Sequence, residues 1–469
     1  MVPEAGSEAP GLPEQITSVH IVGIGGAGMS AIAMILAERG VRVTGSDLKV
    51  SAAYERLAGY GVELHLGHSA DNLGEVDAVV ISSAIRADNP EVRRARELGI
   101  PVVDRRGLFP RLLNGYQVIG VAGTHGKTTS TSMLTLALLA AGANPSYIIG
   151  GELNEVGTSA AHGSGTLFVV EADESDRSFL ALGAYGALVT NVEPDHLESY
   201  GGYPELVAAF GKFVSGAPGP KVVGTYLGAH EALTGIEGVV TFGEGDDDYR
   251  VESLVDSEVE TSFDLRSRDG SVTHVVLAVP GRHNCLNAAG AIAMADQLGV
   301  PLEVAAAAIG RFGGVARRYQ RRGERAGVTY VDDYAHLPSE LEAVVSTTRA
   351  QYPHRRMVAV FQPHRYSRTR ALYREFADAL AKADLVVVTD VYAAGEDQLP
   401  GVSGELIASS LSQRHADIDS LYHPSRSDLA EFCLAIARPG DVVVSMGAGD
   451  ITALAGEMIE LARQREAAR

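Results

Sequence analysis

The stretch "YQVIGVAGTHGKTTS", residues 116–130, decides how the rest of the chain is read. "YQVIGVA" has the apolar, β-branched character of a buried strand, and a glycine-bearing turn follows at once. A strand that runs through such a turn into a helix aims the first helical N–H groups at one point, and the helix dipole adds positive charge there. Gly123 and Gly126 let the backbone close around phosphate oxygens with no Cβ in the way. Lys127 is placed for the β- and γ-phosphates and the Thr128 hydroxyl for Mg²⁺, with Thr124, His125 and Thr129 completing the turn. A standard phosphate loop carries a further glycine five residues before Gly126, but Val121 stands there. The stretch therefore predicts a variant nucleotide loop within a parallel α/β domain.

An ATP–Mg²⁺ site needs carboxylates, and ligands in open α/β sheets gather at the carboxyl ends of strands. The next strand, "TLFVVEA" (166–172), delivers Glu171, Asp173, Glu174 and Asp176; the one after it, "ALVTN" (187–191), leads to Asn191, Asp195 and His196. An isolated histidine is more often structural than a ligand. Two polar clusters at neighbouring strand ends beside a phosphate loop favour a two-metal site bridging the γ-phosphate. Around 248–280 the residues alternate, and Asp269-Gly270 predicts a β-hairpin added to the core. In "GRHNCLNAAGAIAMA" (281–295), Asn284 and Asn287 stand near a helix start, where capping and reading a purine edge are both open to Asn284.

Before this block, strand "SVHIVG" (18–23) runs into "GIGGAG" (23–28), a Gly-x-Gly-x-x-Gly turn, with Asp47 ending the second strand. The pattern fits a dinucleotide, and it fits equally the diphosphate of a nucleotide-linked substrate. After the central block come strands "GVTYVDD" (327–333), "RMVAVFQ" (356–362), "LVVVTDV" (385–391) and "DVVVSMG" (441–447). Two basic clusters lie here: Arg317, Arg318, Arg321 and Arg322 at a domain junction, and His364, Arg365, Arg368 and Arg370 beyond a strand. A charge run is usually a solvated face. The second cluster follows a strand end, where guanidinium forks can hold phosphate or carboxylate. "DDYAHLPSE" places Asp332, Asp333, Tyr334 and His336 after another strand.

A chain of 469 residues exceeds one core, so two or three domains are expected. With 39 basic and 59 acidic residues the formal charge is −20, a poor match to nucleic acid or an anionic membrane. The two cysteines, Cys285 and Cys433, suggest neither a disulfide framework nor a metal cluster. Residues 1–15 are polar and are expected to be a disordered tail, not a signal peptide, and no apolar run has membrane-spanning length. A cytoplasmic protein is expected.

Taken in order, "GIGGAGMSAIA", "GSD", "SSAI", "GTHGKTT", "EADESDRSFL", "NVEPDHL", "GRHNCLNAAGA", "GVARR", "DDYAHLPSE", "FQPHRYSRTR", "AGE" and "GAGD" resemble the Mur ligase family over nearly the whole chain. That family's Gly-x-x-Gly-Lys-Thr loop also accounts for Val121. The resemblance implies three domains: a Rossmann-like UDP-binding domain (1–107), a central P-loop ATPase-type α/β domain with the added hairpin region (108–315), and a C-terminal Rossmann-like α/β domain (316–469). It implies an ATP-dependent ligase of peptidoglycan precursor synthesis that joins L-alanine to the carboxylate of UDP-N-acetylmuramic acid, with these small molecules as its partners and a monomer or weak homodimer as the assembly. Joining a ready-made tripeptide to the same UDP-sugar, and a nicotinamide-dependent oxidoreductase, are the alternatives.

Residue by residue, the resemblance assigns Lys127 to the β/γ-phosphates, Thr128 and Glu171 to one Mg²⁺, and His196 with Glu171 to a second. His283, Asn284 and Asn287 match the adenine-contacting segment, Asp332 the ribose-binding aspartate, and Arg318 the hinge into the third domain. Tyr334, His336, His364, Arg365 and Arg368 match the surroundings of the muramoyl carboxylate and incoming amino acid. Gly25, Gly26, Ala27 and Gly28 would face the UDP diphosphate, with Asp47, His68 and Ser82 around the uridine. One departure is Leu337, where many relatives carry a second histidine.

Overall fold

The computed structural model describes residues 12–13, 15–82, 85–153, 155–175, 177–226, 228–230, 235–257, 261–315 and 318–467. Asp176, Arg317 and the first eleven residues of the expected tail lie outside them. Three sheets carry the architecture. The first is built from β1 (Ser18–Val22), β2 (Arg42–Asp47), β3 (Glu63–Leu66), β4 (Ala78–Ile81) and β5 (Val102–Asp104), all parallel, in the order β3-β2-β1-β4-β5. Strand order reverses beside β1, which opens a crevice at the carboxyl ends of β1 and β4.

The second sheet holds β6 (Gln117–Ala122), β7 (Ser146–Leu153), β8 (Thr158–Ala161), β9 (Leu167–Glu171), β10 (Gly186–Val189), β11 (Lys221–Gly224), β12 (Val239–Gly243), β13 (Tyr249–Asp256), β14 (Thr261–Arg266) and β15 (Val272–Leu277). Its order is β15-β14-β13-β12-β11-β10-β6-β9-β7-β8. β6 lies between β9 and β10 and is parallel to both, so the tips of all three meet at the phosphate loop. Its buried run needs no alternation because both faces are covered. The predicted hairpin is the β14–β15 turn, where Gly270 takes φ +89° and the Ser267 N–H donates to the Ser271 carbonyl at 2.9 Å.

The third sheet comprises β16 (Gln320–Arg325), β17 (Val328–Asp333), β18 (Met357–Phe361), β19 (Leu385–Val388), β20 (Asp419–Tyr422) and β21 (Val442–Met446), ordered β16-β17-β21-β18-β19-β20. The later part of the basic junction, residues 320–322, belongs to β16, antiparallel to β17 at the sheet's edge. Arg321 pairs with Glu324 at 3.3 Å and Arg322 donates to the Gln320 carboxamide, both on the exposed edge. A run without apolar alternation forms a strand here because backbone pairing to β17 suffices at an edge.

By density of contacts the chain divides into two units. One comprises Met1–Glu252, Asp264–Val275 and Leu286–Phe312; the other comprises Ser253–Phe263, Val276–Cys285 and Gly313–Arg469. Within the first unit a single buried cluster runs from Val19, Ile32 and Leu36 to Ala160, Phe168 and Phe213. Arg39 helps to seal it: its guanidinium lies 4.9 Å from the Tyr116 ring centre and donates to the Leu112 carbonyl at 2.6 Å. The helix Arg105–Leu112 crosses position 107 and buries Leu108, Phe109 and Leu112. No helix among the described residues is long and apolar enough to cross a membrane.

Candidate active site

The loop after β6 has the geometry its glycines require. Gly126 caps the helix Lys127–Ala140 at φ +77°, and Gly123 takes φ +143°. A methyl group at Gly123 would collide with the Thr190 hydroxyl and lie 3.1 Å from the backbone of Asn191; one at Gly126 would collide with the Asn287 carboxamide. The tip of β10 holds the loop from below. Asn191 accepts from the His125 N–H at 2.8 Å and donates to its carbonyl at 3.1 Å, while the Thr124 hydroxyl accepts from the Glu193 N–H at 2.8 Å. His125 Nε2 meets Glu193 Oε2 at 2.6 Å.

Lys127 lies largely inside this loop. Its ammonium donates to the Gly123 carbonyl at 2.6 Å, the Thr124 carbonyl at 3.2 Å and Glu174 Oε1 at 2.9 Å. Burial works against its charge, yet the carboxylates of Glu174, Asp173 and Glu171 outweigh burial and raise its pKa. Glu174 is buried too, and burial pushes its carboxyl up to about 7 against the pull of Lys127. Asp173 is held down at about 2: burial opposes its charge, but Lys127, Ser175 and Arg105 overcome it.

The Thr128 hydroxyl donates to Glu171 Oε1 at 3.0 Å, and Glu171 Oε2 accepts from the Gly150 N–H at 2.6 Å. This hydroxyl–carboxylate pair is a hard oxygen set and fits a Mg²⁺ that draws its other ligands from phosphate and water. No group of three or more histidine, cysteine or acidic side chains among the described residues converges as a metal cage. His196 takes a left-handed backbone, φ +51°, and its Nε2 lies 3.2 Å from Asp195 Oδ2. Asn284 donates to the Pro280 carbonyl at 2.6 Å, a local contact. His283 is half-buried beside Gly281.

At the first sheet's crevice, Gly23 has φ +81° and a methyl group there would lie 2.9 Å from the Ser82 hydroxyl. Asp47 accepts from the Gly25 N–H at 2.9 Å and Ser51 donates to the Gly25 carbonyl at 3.0 Å, so a side chain on Gly25 would press on both. Gly26 precedes the helix Ala27–Glu38, in which Gly28 is the second residue. His68 Nδ1 lies 3.0 Å from the Ser46 hydroxyl and 3.1 Å from Glu91 Oε2. Glu91, with Asn72 on its other oxygen at 2.7 Å and His20 nearby at 3.7 Å, is fully buried. Burial opposes its charge, but the nearby His20 imidazole and the hydrogen bonds from Ser46 and Asn72 hold its pKa down at about 2. Sequence reasoning missed this network, since a glutamate in a helix's first turn reads as ordinary dipole complementation.

In the second unit, a ring cluster joins the loops after β17 and β18. Tyr334 and His336 lie 5.2 Å apart, His336 and His364 5.8 Å, and His364 stacks on Tyr392 at 5.6 Å. Arg318 sits over the Tyr334 ring at 5.3 Å, which ties the end of the junction to this cluster. Burial pushes the His364 imidazole down to about 4, helped by His336, Arg368 and Arg365. Arg365 has φ +70°, a strained backbone for a non-glycine residue, and caps the helix Tyr366–Leu380. Leu337 is buried at the start of the helix Pro338–Gln351, so the departure from a second histidine is a packing position here. Asp332 is 1% exposed at the end of β17, and its oxygens accept from the Ser445 and Thr452 hydroxyls at 3.0 Å each.

Three family models cover this architecture: "Mur ligase family, catalytic domain" over residues 18–117, "Mur ligase middle domain" over 121–295 and "Mur ligase, glutamate ligase domain" over 317–449. The chain belongs to the Mur ligase family. It is 45% identical over 462 residues to a UDP-N-acetylmuramate–L-alanine ligase of Streptomyces avermitilis, covering 96% of this chain and 99% of that one. It is likewise 45% identical over 447 residues to the ligase of that name from Rubrobacter xylanophilus, covering 94% and 99%. Among solved structures, the UDP-N-acetylmuramate–alanine ligase of Thermotoga maritima superimposes with a TM-score of 0.82 at 30% identity, over 96% of this chain and all of that one. A murein peptide ligase from Psychrobacter arcticus gives a TM-score of 0.71 at 23% identity over 95% and 98%, a likeness of fold alone. The three-domain α/β Mur ligase architecture expected from the motifs is therefore the one present.

Proposed function

We propose that this Mur ligase joins L-alanine to the carboxylate of UDP-N-acetylmuramic acid, converting ATP to ADP and phosphate, in the cytoplasmic synthesis of peptidoglycan precursors. The observation that carries the reading is the 45% identity over nearly the full length to enzymes bearing that name. The convergence of Lys127, Thr128 and Glu171 on one loop supplies the matching chemistry.

In this reading a muramoyl carboxylate oxygen attacks the γ-phosphorus, the bond to the β–γ bridging oxygen breaks, and ADP leaves. The alanine amine then attacks the acyl carbon, loses a proton, and phosphate departs. Lys127 exchanges its loop carbonyls and Glu174 for the β/γ-phosphates, and the amides of residues 124–128 cradle them. Thr128 and Glu171 would hold one Mg²⁺, and His196 with Glu171 a second, which would neutralise charge on the phosphate oxygens. Asn287, against Gly126, and His283 are assigned to the adenine side. Gly25 to Gly28, Asp47, His68 and Ser82 are assigned to the UDP-sugar. Tyr334, His336, His364, Arg365 and Arg368 are assigned to the carboxylate and the amino acid, where the guanidinium groups neutralise charge developing in transfer.

The test is ADP release by purified protein given ATP, Mg²⁺ and UDP-N-acetylmuramic acid. Release that depends on L-alanine supports the reading. Release only with a preformed tripeptide, or none with either acceptor, defeats it.

A further inference from the structure

We propose that Arg105 binds the diphosphate of the nucleotide-linked substrate, held in place by Asp173 and Ser178 across the junction of the first and second sheets. The inference rests on the UDP-sugar reading of the first sheet's crevice.

Arg105 opens its helix directly after β5, at the same carboxyl edge that carries the glycine turn. Its neighbour Arg106 is drawn to the surface by Asp104, at 2.7 and 2.8 Å, and Asp104 also accepts from the Gly107 N–H at 3.0 Å. Arg105 instead points inward. Its Nη2 donates to Asp173 Oδ2 at 3.2 Å and to the Ser178 hydroxyl at 3.1 Å. Its Nη1 lies 3.6 Å from where a methyl group on Gly28 would stand. One end of the guanidinium is thus anchored on the segment that follows β9, and the other faces the first turn of the helix Ala27–Glu38.

A planar guanidinium presents five donors in a rigid fork, so anchoring one end orients the other without further ordering cost. The turn itself offers backbone N–H groups and the positive end of a helix dipole. In a chain of net charge −20, a cation fixed beside such a turn is a local exception of the kind anion binding requires. Asp173 is thus a positioning residue for Arg105, and Arg105 a binding residue for the diphosphate.

The experiment measures binding of UDP, and of uridine by competition, to the full-length protein and to Arg105→Ala, Arg105→Lys and Asp173→Asn. UDP affinity should fall about tenfold or more in Arg105→Ala, the equivalent of one charge-assisted hydrogen bond, with uridine affinity unchanged. Arg105→Lys should recover part of the loss, and Asp173→Asn should show a smaller loss of the same sign. UDP binding within twofold of wild type in Arg105→Ala overturns the inference, as does an equal loss of UDP and uridine, which would mark Arg105 as a strut between domains. A wild-type protein that binds no UDP overturns the UDP-sugar reading itself.

Discussion

Replacing Lys127 with alanine strands a buried carboxylate. In the intact protein Glu174 Oε1 receives the ammonium at 2.9 Å, while Oε2 has no hydrogen-bond partner, and its side chain is 4% exposed against 16% for Lys127. Breaking a buried ion pair from one side costs about 3–5 kcal/mol when the remaining charge stays ionised. Glu174 has an escape, because burial already raises its carboxyl to about 7 and the loss of Lys127 raises it further. A carboxyl whose folded pKa exceeds its unfolded value takes up a proton on folding. Its stabilising contribution is complete below the unfolded value, 4.5, and is lost as pH rises through the folded one. The variant should therefore lose about 3 kcal/mol or more at pH 8 and only about 1 kcal/mol at pH 5. Adding Glu174→Gln should recover most of the loss at pH 8, yet neither variant should release ADP, since the phosphate-binding cation is gone. Urea unfolding at both pH values, with the ligase assay alongside, checks each part. An equal loss at pH 5 and pH 8, no recovery from the second substitution, or turnover within tenfold of wild type would refute the reasoning.

Glu171→Ala removes the carboxylate facing Thr128 and should lower turnover by at least ~10²-fold, with a weaker dependence on Mg²⁺ concentration; near-normal turnover would take Glu171 out of the site. Gly123→Ala forces a side chain onto φ +143° and against the Asn191 backbone, so a stability loss of about 2 kcal/mol or more and loss of ATP binding are expected from thermal unfolding and nucleotide titration. His364 has a folded pKa near 4, so the stability it contributes is present above the ordinary imidazole value of 6.5 and is lost as pH falls through 4. His364→Gln should flatten the stability–pH curve between those values, and an unchanged slope in acid unfolding would contradict the burial argument. Glu91→Ala leaves His68, Ser46 and Asn72 without their acceptor and should cost about 2–4 kcal/mol in urea unfolding.

The phosphate loop was legible in the sequence because each of its requirements is local. An apolar run makes β6, two glycines permit φ values that other residues resist, and the lysine and threonine follow at fixed spacing. The tips of β9 and β10 were legible for the same reason, as were the glycine turn after β1 and the buried strands β17, β18, β19 and β21. Edge strands such as β3, β8, β16 and β20 were not, since they are short or polar and are held by backbone pairing to one neighbouring strand, which leaves no apolar pattern in the sequence. Only the tertiary structure decided what each titratable group faces. Residue spacing shows that Lys127, Glu171 and Glu174 gather at one place, but not that Lys127 rests on Glu174 while Thr128 takes Glu171. It cannot show that Asp332 meets the Thr452 hydroxyl, that Glu91 is buried under His68, or that Arg105 and not Arg106 reaches Asp173. Those outcomes depend on packing between segments tens of residues apart, where burial and a few ångströms set which charge is paired, and neither quantity is written in the local pattern.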